Sequence, residues 1–538
     1  MTRPPTVTLL TPLRVRRLRM MLGFELGAAI GIWILVLAVQ WTLTRAGESA
    51  FAVSGVQFAA SLPFFLLSLP LGAIAEHAGH RTLLTGTAIG LLITSAVLTV
   101  LQALDLATTP VLMAAVFLSG CGLASVAIVW QSLLPTLATR EMMTVVPAID
   151  GAIFNGARAI GPVLGGALLA AWGATSTFGL VTVVFAICVV LAASQIPPRS
   201  GRVPRTESVL ESVATSLRFI RHSRWTRRLL FRVVMFGLPA SCLWALLPVV
   251  AYEMLHVTTF EFGVLSGAIG VGAVAGTIAS MPLRSRLSWN VFAALGSAAY
   301  ALVLLGIAVV AWMPAVVALL VIVGAAWVGV QSTWMIATHA VMPPWIKARV
   351  IAVVMLTFQG SQAVGALLWG FLADTMGLVS AVVVSAVAMS VSSIGLLRRG
   401  ILPSDSIAPD PSGAAGPPEL EPHHRGATIV VETTYAVRPQ RADHFVHAMT
   451  RLRSSRLRLG ASRWALTRVS DSASTYVEFC TFRNWAEYSA QETVRLTVPE
   501  RLVRTDLALD LAEEPRVRVL VRPRTPADRT PADRTEST

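Results

Sequence analysis

Twelve apolar runs, each long enough to cross a bilayer, dominate this chain. A spanning helix needs about 20 consecutive apolar residues, and hydrocarbon tolerates no unpaired backbone polar groups. The runs fall near 22–44, 51–74, 82–103, 110–134, 146–170 and 175–195, and, after a polar stretch, near 229–250, 261–282, 289–310, 313–337, 350–373 and 379–397. With 54% apolar and only 13% charged residues among 538, the composition is that of a polytopic membrane protein embedded in a lipid bilayer. The net charge of +14 does not point to nucleic acid, because the basic residues cluster between the apolar runs, where anionic lipid attracts them. The four cysteines, Cys121, Cys188, Cys242 and Cys480, have no metal or disulfide spacing, and no cofactor or metal is expected. The first run is too long for a signal-peptide core and lacks a small-residue cleavage site, so it reads as a retained span.

Loop charges orient the set. Arg14, Arg16, Arg17 and Arg19 precede the first run, and Arg81, Arg140, Arg199 through Arg228, Arg284 with Arg286, Lys347 with Arg349, and Arg398 with Arg399 follow every second one. The opposite loops carry Arg45 and otherwise Glu48, Asp105, Glu253 and Glu261. This asymmetry places both termini and the central loop in the cytoplasm of a protein crossing the cell's inner membrane many times. In the central loop Val209, Val213, Leu217 and Ile220 share one helical face, which predicts an amphipathic helix at the membrane surface.

The two sets of six repeat. Gly72 and Gly276, Gly120 and Gly324, Trp130 and Trp334, Gly161 and Gly365, Gly166 and Gly370, and Gly173 and Gly377 are all 204 residues apart. One gapless offset recurring six times at matching places marks an internal duplication. Both copies start on the same side, so the repeat is parallel, the relation between the halves of a major facilitator protein. The fold expected is an all-α membrane protein of twelve transmembrane helices in two parallel six-helix repeats, followed by a small α+β domain. The expected division is 1–195 and 229–399 for the halves, 196–228 for the central loop, 400–426 for a Pro/Ser/Ala/Gly-rich linker, 427–522 for the soluble domain and 523–538 for a disordered tail. Strands are expected at 428–437, 463–469, 476–482 and 516–521, with a helix at 441–459 and one or two more at 485–511; the order β-α-β-β-α-β is ferredoxin-like.

The fifth run contains Asn155 and Arg158, then Gly161-Pro162-x-x-Gly165-Gly166. Gly161 and Gly165 leave one helix face without side chains, so a neighbouring backbone can come close. Pro162 has no N–H, so the carbonyl of Arg158 loses its helical partner. An arginine near the bilayer midplane costs at least about 2.5 kcal/mol and is expected to face a polar cavity or a partner. It would attract an anionic substrate group or hold down the proton affinity of a nearby carboxylate, with Glu25 and Asp150 the acids to test. Glu25, about one turn inside the first span, is a candidate proton site or partner for Arg158, but an interfacial carboxylate is the favoured reading. Trp130 and Gln131, with Trp334 and Met335 at the second-half positions, are candidates for the cavity wall, and aromatic packing is the competing explanation. Gln362 stands where the repeat would place Arg158, so the charge belongs to the first half only. Asp374 reads as a solvated loop residue.

Gly72-x-x-x-Glu76-His77-x-Gly79-His80-Arg81 resembles the first-loop motif of the major facilitator superfamily, G-x-x-x-D-R-x-G-R-R, with three substitutions. The resemblance implies that Gly72, Glu76, Gly79 and Arg81 govern the conformational cycle. The Gly161–Gly166 stretch resembles the end of the superfamily's antiporter motif, although the two upstream glycines are replaced by Ala148 and Ala157. Asn155 and Arg158, together with Thr433-Thr434-Tyr435, Arg456-x-Arg458-x-Gly460-Ala461-x-x-Trp464, Glu478 and Trp485-x-Glu487, are similar to the enterobactin-exporter-like, or transmembrane secretion effector, subgroup. That resemblance implies a secondary active exporter, proton-coupled by antiport, of a hydrophobic small molecule such as a drug, siderophore or secondary metabolite. An ATP-driven pump is excluded, because a phosphate loop needs a lysine and the only one is Lys347, between Ile346 and Ala348. The alternatives are an importer of the same fold, or a membrane-tethered module acting through the C-terminal domain. That domain resembles dimeric α+β barrels, which implies a possible homodimer; His444, His447, Trp464 and Trp485 are its only candidates for chemistry, and no enzyme constellation is present.

Overall fold

The computed structural model describes residues 11–137, 139, 141–195, 209–400 and 427–522, except the side chains of 68–70, 72–78, 132, 135–136, 144, 147–148, 209–213 and 498–499. Two compact units result, one of them a helical bundle and the other made of 206–228, 337–351 and 402–538.

Eleven helices are long and apolar enough to cross a membrane. The first half has α1 (Arg16–Arg45), α2 (Ala50–Ala78), α3 (His80–Ala103), α4 (Thr109–Leu137) and α5 (Val146–Gln195). A shorter helix, α6 (Val209–His222), precedes the second half: α7 (Arg224–Val249), α8 (Thr259–Arg284), α9 (Trp289–Val309), α10 (Met313–Val341), α11 (Pro344–Met376) and α12 (Leu378–Arg399). At 50 residues α5 is twice the length a bilayer needs. Gly173 divides it with φ 74° and ψ 179°, a conformation open only to glycine. Gly377, with φ 90°, separates α11 from α12 in the same way. The eleven helices therefore make twelve crossings, and the two breaks lie at paired positions of the repeat.

The paired glycines occupy equivalent contacts. Gly120 of α4 meets Ala60 and Pro63 of α2, and Gly324 of α10 meets Ile269 and Ala273 of α8. Gly161 lies against Trp33 of α1, and Gly365 against Leu238 and Ser241 of α7. The third pair crosses between halves: Gly166 abuts Gly263 of α8, and Gly370 abuts Phe51 and Ser54 of α2. Each half thus lays its fifth span on the second span of the other, as a pseudo-twofold duplication requires.

At the bundle end away from Arg16 and Arg399, contacts between the halves continue. Trp41 stacks on Phe262 with centroids 4.7 Å apart, and its Nε1 donates to Thr259 Oγ1 at 2.8 Å. Asp374 is not merely solvated: its carboxylate accepts the backbone amides of Ala50 and Phe51 at 2.9 and 3.1 Å. Those amides begin α2 and have no partner inside the helix, so an acid is favoured there.

In the second unit, β1 (Ile429–Ala436), β2 (Arg463–Arg468), β3 (Thr475–Phe482) and β4 (Arg516–Val521) form an antiparallel sheet in the order β2-β3-β1-β4. With α13 (Ala442–Leu459), α14 (Trp485–Ala490) and α15 (Val498–Ala508), this is the ferredoxin-like arrangement. Burial alternates along β1 and β3, and Phe445, Met449 and Leu452 of α13 pack with Tyr435 and Tyr476. α6 packs on α13 within this unit. Leu217 is 61% exposed, while Phe219 is buried with its ring against Trp345 at 5.6 Å. An aromatic contact and an ion pair from Arg218 to Glu487 at 3.1 Å set the helix's rotation, not its aliphatic stripe. Val209 and Val213 lie outside the described side chains.

Candidate functional site

Arg158 is placed by the glycines that follow it. Because Gly161 has no side chain, Trp33 of α1 can sit against α5; a Cβ at 161 would come within 2.8 Å of Trp33 Cβ. A Cβ at 165 would lie 3.3 Å from Ile34 Cα. Trp33 is thereby held 5.4 Å from the Arg158 guanidinium carbon, measured to the ring centroid. Phe154, one turn earlier on α5, lies at 5.3 Å, and Trp244 of α7 at 5.6 Å. Three ring faces in cation–π range surround one guanidinium. Among the described residues no carboxylate pairs with it, and its buried Nε has no hydrogen-bond partner.

These groups line a narrow cavity of about 30 Å³, between the halves and beneath the contacts of Trp41 and Gly166. Its polar lining comes from Gln40, Gln57, Arg158 and Ser266, with Trp33 and Trp244 as the largest rings. The indole N–H groups of Trp33 and Trp244 are buried without partners. Pro162 also lines the cavity. A space of this size holds about one water, whereas small-molecule sites run to about 300 Å³ or more, so substrate entry requires the halves to part.

The acids suggested as partners of Arg158 are elsewhere. Glu25 of α1 and Asp150 of α5 lie near each other. Trp130 Nε1 donates to Asp150 Oδ1 at 2.5 Å, and Gln131 Nε2 to Oδ2 at 2.8 Å. Glu25 is 6% exposed, among apolar residues. Asp150 precedes Arg158 by two turns, about 12 Å along the axis.

The remaining candidates separate. Trp130 and Trp334 are each 1% exposed and lie in cores, not in the cavity around Arg158. Trp334 packs on Phe236 and Phe358. Gln362 is buried and does not line the cavity, and Asn155 donates to the Gly151 carbonyl at 2.8 Å within its own helix. Gly79 has φ 80° at the turn from α2 into α3, and Arg81 is exposed. Gly72 and Glu76 fall outside the described side chains. Trp33 and Trp244 escaped notice in the sequence because tryptophans in apolar runs carry no distinguishing pattern. One signal was available: Gln40 and Trp244 are 204 residues apart, and both line the cavity.

The soluble unit's motif residues form a buried polar network. Glu478 accepts from Tyr435 at 2.8 Å, from Trp464 at 2.7 Å and from Arg456 at 3.3 Å. Glu487 pairs with Arg495 at 2.8 Å as well as with Arg218, and Arg458 pairs with Glu500. Burial penalises the charge on Glu478, Glu487 and Glu492, but the arginine partners more than offset it and hold all three below the usual carboxylate range, Glu492 at about 2. His444 is taken up by Asp510 at 2.6 Å and His447 by the Asp443 carbonyl at 2.9 Å. These histidines and tryptophans do not converge on a pocket.

Residues 7–526 match the transmembrane secretion effector family. The multidrug efflux pump Tap of Mycolicibacterium fortuitum is 25% identical over 387 residues, covering 67% of this chain and 90% of that protein. The staphyloferrin A transporter of Staphylococcus aureus is 23% identical over 361 residues, covering 65% and 88%. Among solved structures, the nucleoside transporter NupG superposes with a TM-score of 0.58 at 11% identity, covering 71% of this chain and 98% of that one. An auto-inhibited peptide transporter of the POT family gives 0.56 at 12%, covering 71% and 97%. At such identities the structural likeness shows the fold alone. The chain belongs to the transmembrane secretion effector family of the major facilitator superfamily: it is a multi-pass membrane transporter and not an enzyme.

Proposed function

We propose that this transporter is a secondary active exporter of hydrophobic small molecules, driven by proton antiport, with both termini in the cytoplasm. Relatives named as a multidrug efflux pump and a siderophore transporter favour this class of cargo. The observation that supports proton coupling is a buried acid, Glu25, near Asp150 inside the first half, with Asp150 held by Trp130 and Gln131. Substrate would enter the cavity around Arg158 as the halves rock apart, giving alternating access. The soluble domain would act as a regulatory or dimerisation module.

The test is efflux of a panel of dyes and siderophores from proteoliposomes under an imposed pH gradient. Asp150→Asn and Glu25→Gln should abolish gradient-driven accumulation while leaving downhill exchange measurable. Gradient-driven transport at the wild-type rate in both variants would remove the basis for proton coupling. Reporter fusions after Thr538 and within 255–258 should fall on opposite sides of the membrane.

A further inference from the structure

The cavity holds a fixed positive charge with no countercharge. Arginine keeps its proton at any accessible pH, so this charge cannot be titrated away. The sequence left two roles open for it, and the geometry separates them. The carboxyls it could have influenced at close range do not pair with it: Glu25 sits in an apolar cluster and Asp150 accepts from Trp130 and Gln131. Around Arg158 there are only ring faces, two unpartnered indole N–H donors and a few neutral polar groups. The two indole N–H groups beside it are donors without acceptors, Gln40 and Gln57 already donate their amides to the Trp244 carbonyl and to Ser61, and Val36, Leu37, Leu247 and Ile269 supply an apolar wall.

We propose that this cavity selects organic anions: a carboxylate or comparable acid seated on the Arg158 fork, with an aromatic or other flat apolar body between Trp33 and Trp244. The proposal rests on the exporter reading for its physiological meaning, but the binding chemistry does not depend on the direction of transport. A planar guanidinium pairs with a carboxylate through two parallel hydrogen bonds, and the indole N–H groups can complete the shell. Cations meet repulsion at the same place, and neutral analogues leave the guanidinium unpaired. An inorganic anion satisfies the charge but leaves the apolar wall unfilled. An inside-negative membrane potential favours outward movement of a net anion by about 2.3 kcal/mol per charge per 100 mV, which agrees in sign with export.

The test uses the full-length protein in nanodiscs and isothermal titration calorimetry with four probes: naphthoate, naphthamide, naphthylmethylammonium and acetate. Naphthoate should bind at least tenfold more tightly than each of the others. Arg158→Gln should reduce its affinity to that of naphthamide, with the thermal melting transition retained. Should that variant fail to fold, Arg158→Lys serves instead: it keeps the charge, so the preference for naphthoate over naphthamide should persist at reduced affinity. Equal binding of naphthoate and naphthamide overturns the proposal, as does tighter binding of the ammonium compound, acetate binding as strong as naphthoate, or wild-type naphthoate affinity in Arg158→Gln. Efflux of the same aromatic probes from proteoliposomes separates the two readings. Binding of naphthoate without transport of any probe leaves the anion site standing and removes the exporter. Transport of the neutral or cationic probe without naphthoate binding does the reverse.

Discussion

Replacing Gly166 by alanine tests whether the approach of α5 to α8 defines the state seen here. A Cβ at 166 would lie 2.7 Å from Gly263 Cα and 3.0 Å from the Thr259 carbonyl oxygen. Ordinary contact begins near 3.4 Å, a shortfall of about 0.7 Å. Both obstacles are backbone, so no side chain can turn aside, and the helices themselves must part. Overpacking of this kind costs about 1–3 kcal/mol. Because the contact joins the two halves, that cost falls on the sealed state and not on one in which α5 and α8 have separated. The equilibrium should then move by roughly 5- to 150-fold away from the sealed state. Spin labels at Leu106 and Trp312, both exposed and one in each half, would report it as growth of a longer distance in pulsed electron resonance on nanodisc samples. Gly151→Ala is the control, since a Cβ there meets nothing within 4 Å. An unchanged distance distribution in Gly166→Ala would refute the argument that this close approach holds the bundle end shut.

Further tests address the breaks and the soluble unit. Gly173→Ala and Gly377→Ala should each destabilise the bundle by about 1–3 kcal/mol, through the strain of a side chain at φ 74° and 90°, read as a lower melting temperature. Glu487→Gln removes the partner of both Arg218 and Arg495 and should raise hydrogen exchange across 209–222; unchanged exchange would mean that the ion pairs do not hold α6. Glu492 is held at about 2 against an ordinary 4.5, so its contribution of about 3 kcal/mol is complete above pH 4.5 and lost as the pH falls toward 2. Exchange in β1 and β3, corrected for its intrinsic pH dependence, should rise over that interval in the wild type and much less in Glu492→Gln. Deleting everything after Arg399 should leave transport measurable in vesicles, and complete loss with normal insertion would make the soluble domain part of the transport machinery.

The parts of this molecule legible in the sequence are those that local chemistry decides. Hydropathy placed twelve crossings where α5 reads as a single helix, because Gly173 interrupts the backbone without interrupting the apolar run by more than a few residues. The 204-residue offset was legible because glycine is demanded wherever backbones meet, and both copies meet the same neighbours. Strand alternation gave β1 and β3 to within about one residue. Rotation of one helix against another is not local. Nothing in the run around Trp33 tells which side of α1 faces Arg158, and nothing near Glu25 tells that Asp150, 125 residues later, is its neighbour. For the same reason the loop around α6 cannot reveal that Phe219 and Arg218 have partners at Trp345 and Glu487.

Gly173 and Gly377 also decide what the face opposite the termini offers to anything that approaches it. Each turns the chain within a single residue, so two of the six connections on that side present no loop at all. The longest of the others, 104–108, has five non-helical residues, and 255–258 has four. A protease needs an extended stretch of several residues to engage, and an antibody needs a protruding one. This face should therefore resist digestion and be a poor antigen. An epitope or fluorescent tag meant for it has its best insertion points near Asp105 and His256, non-glycine residues whose left-handed backbone marks the tips of their turns.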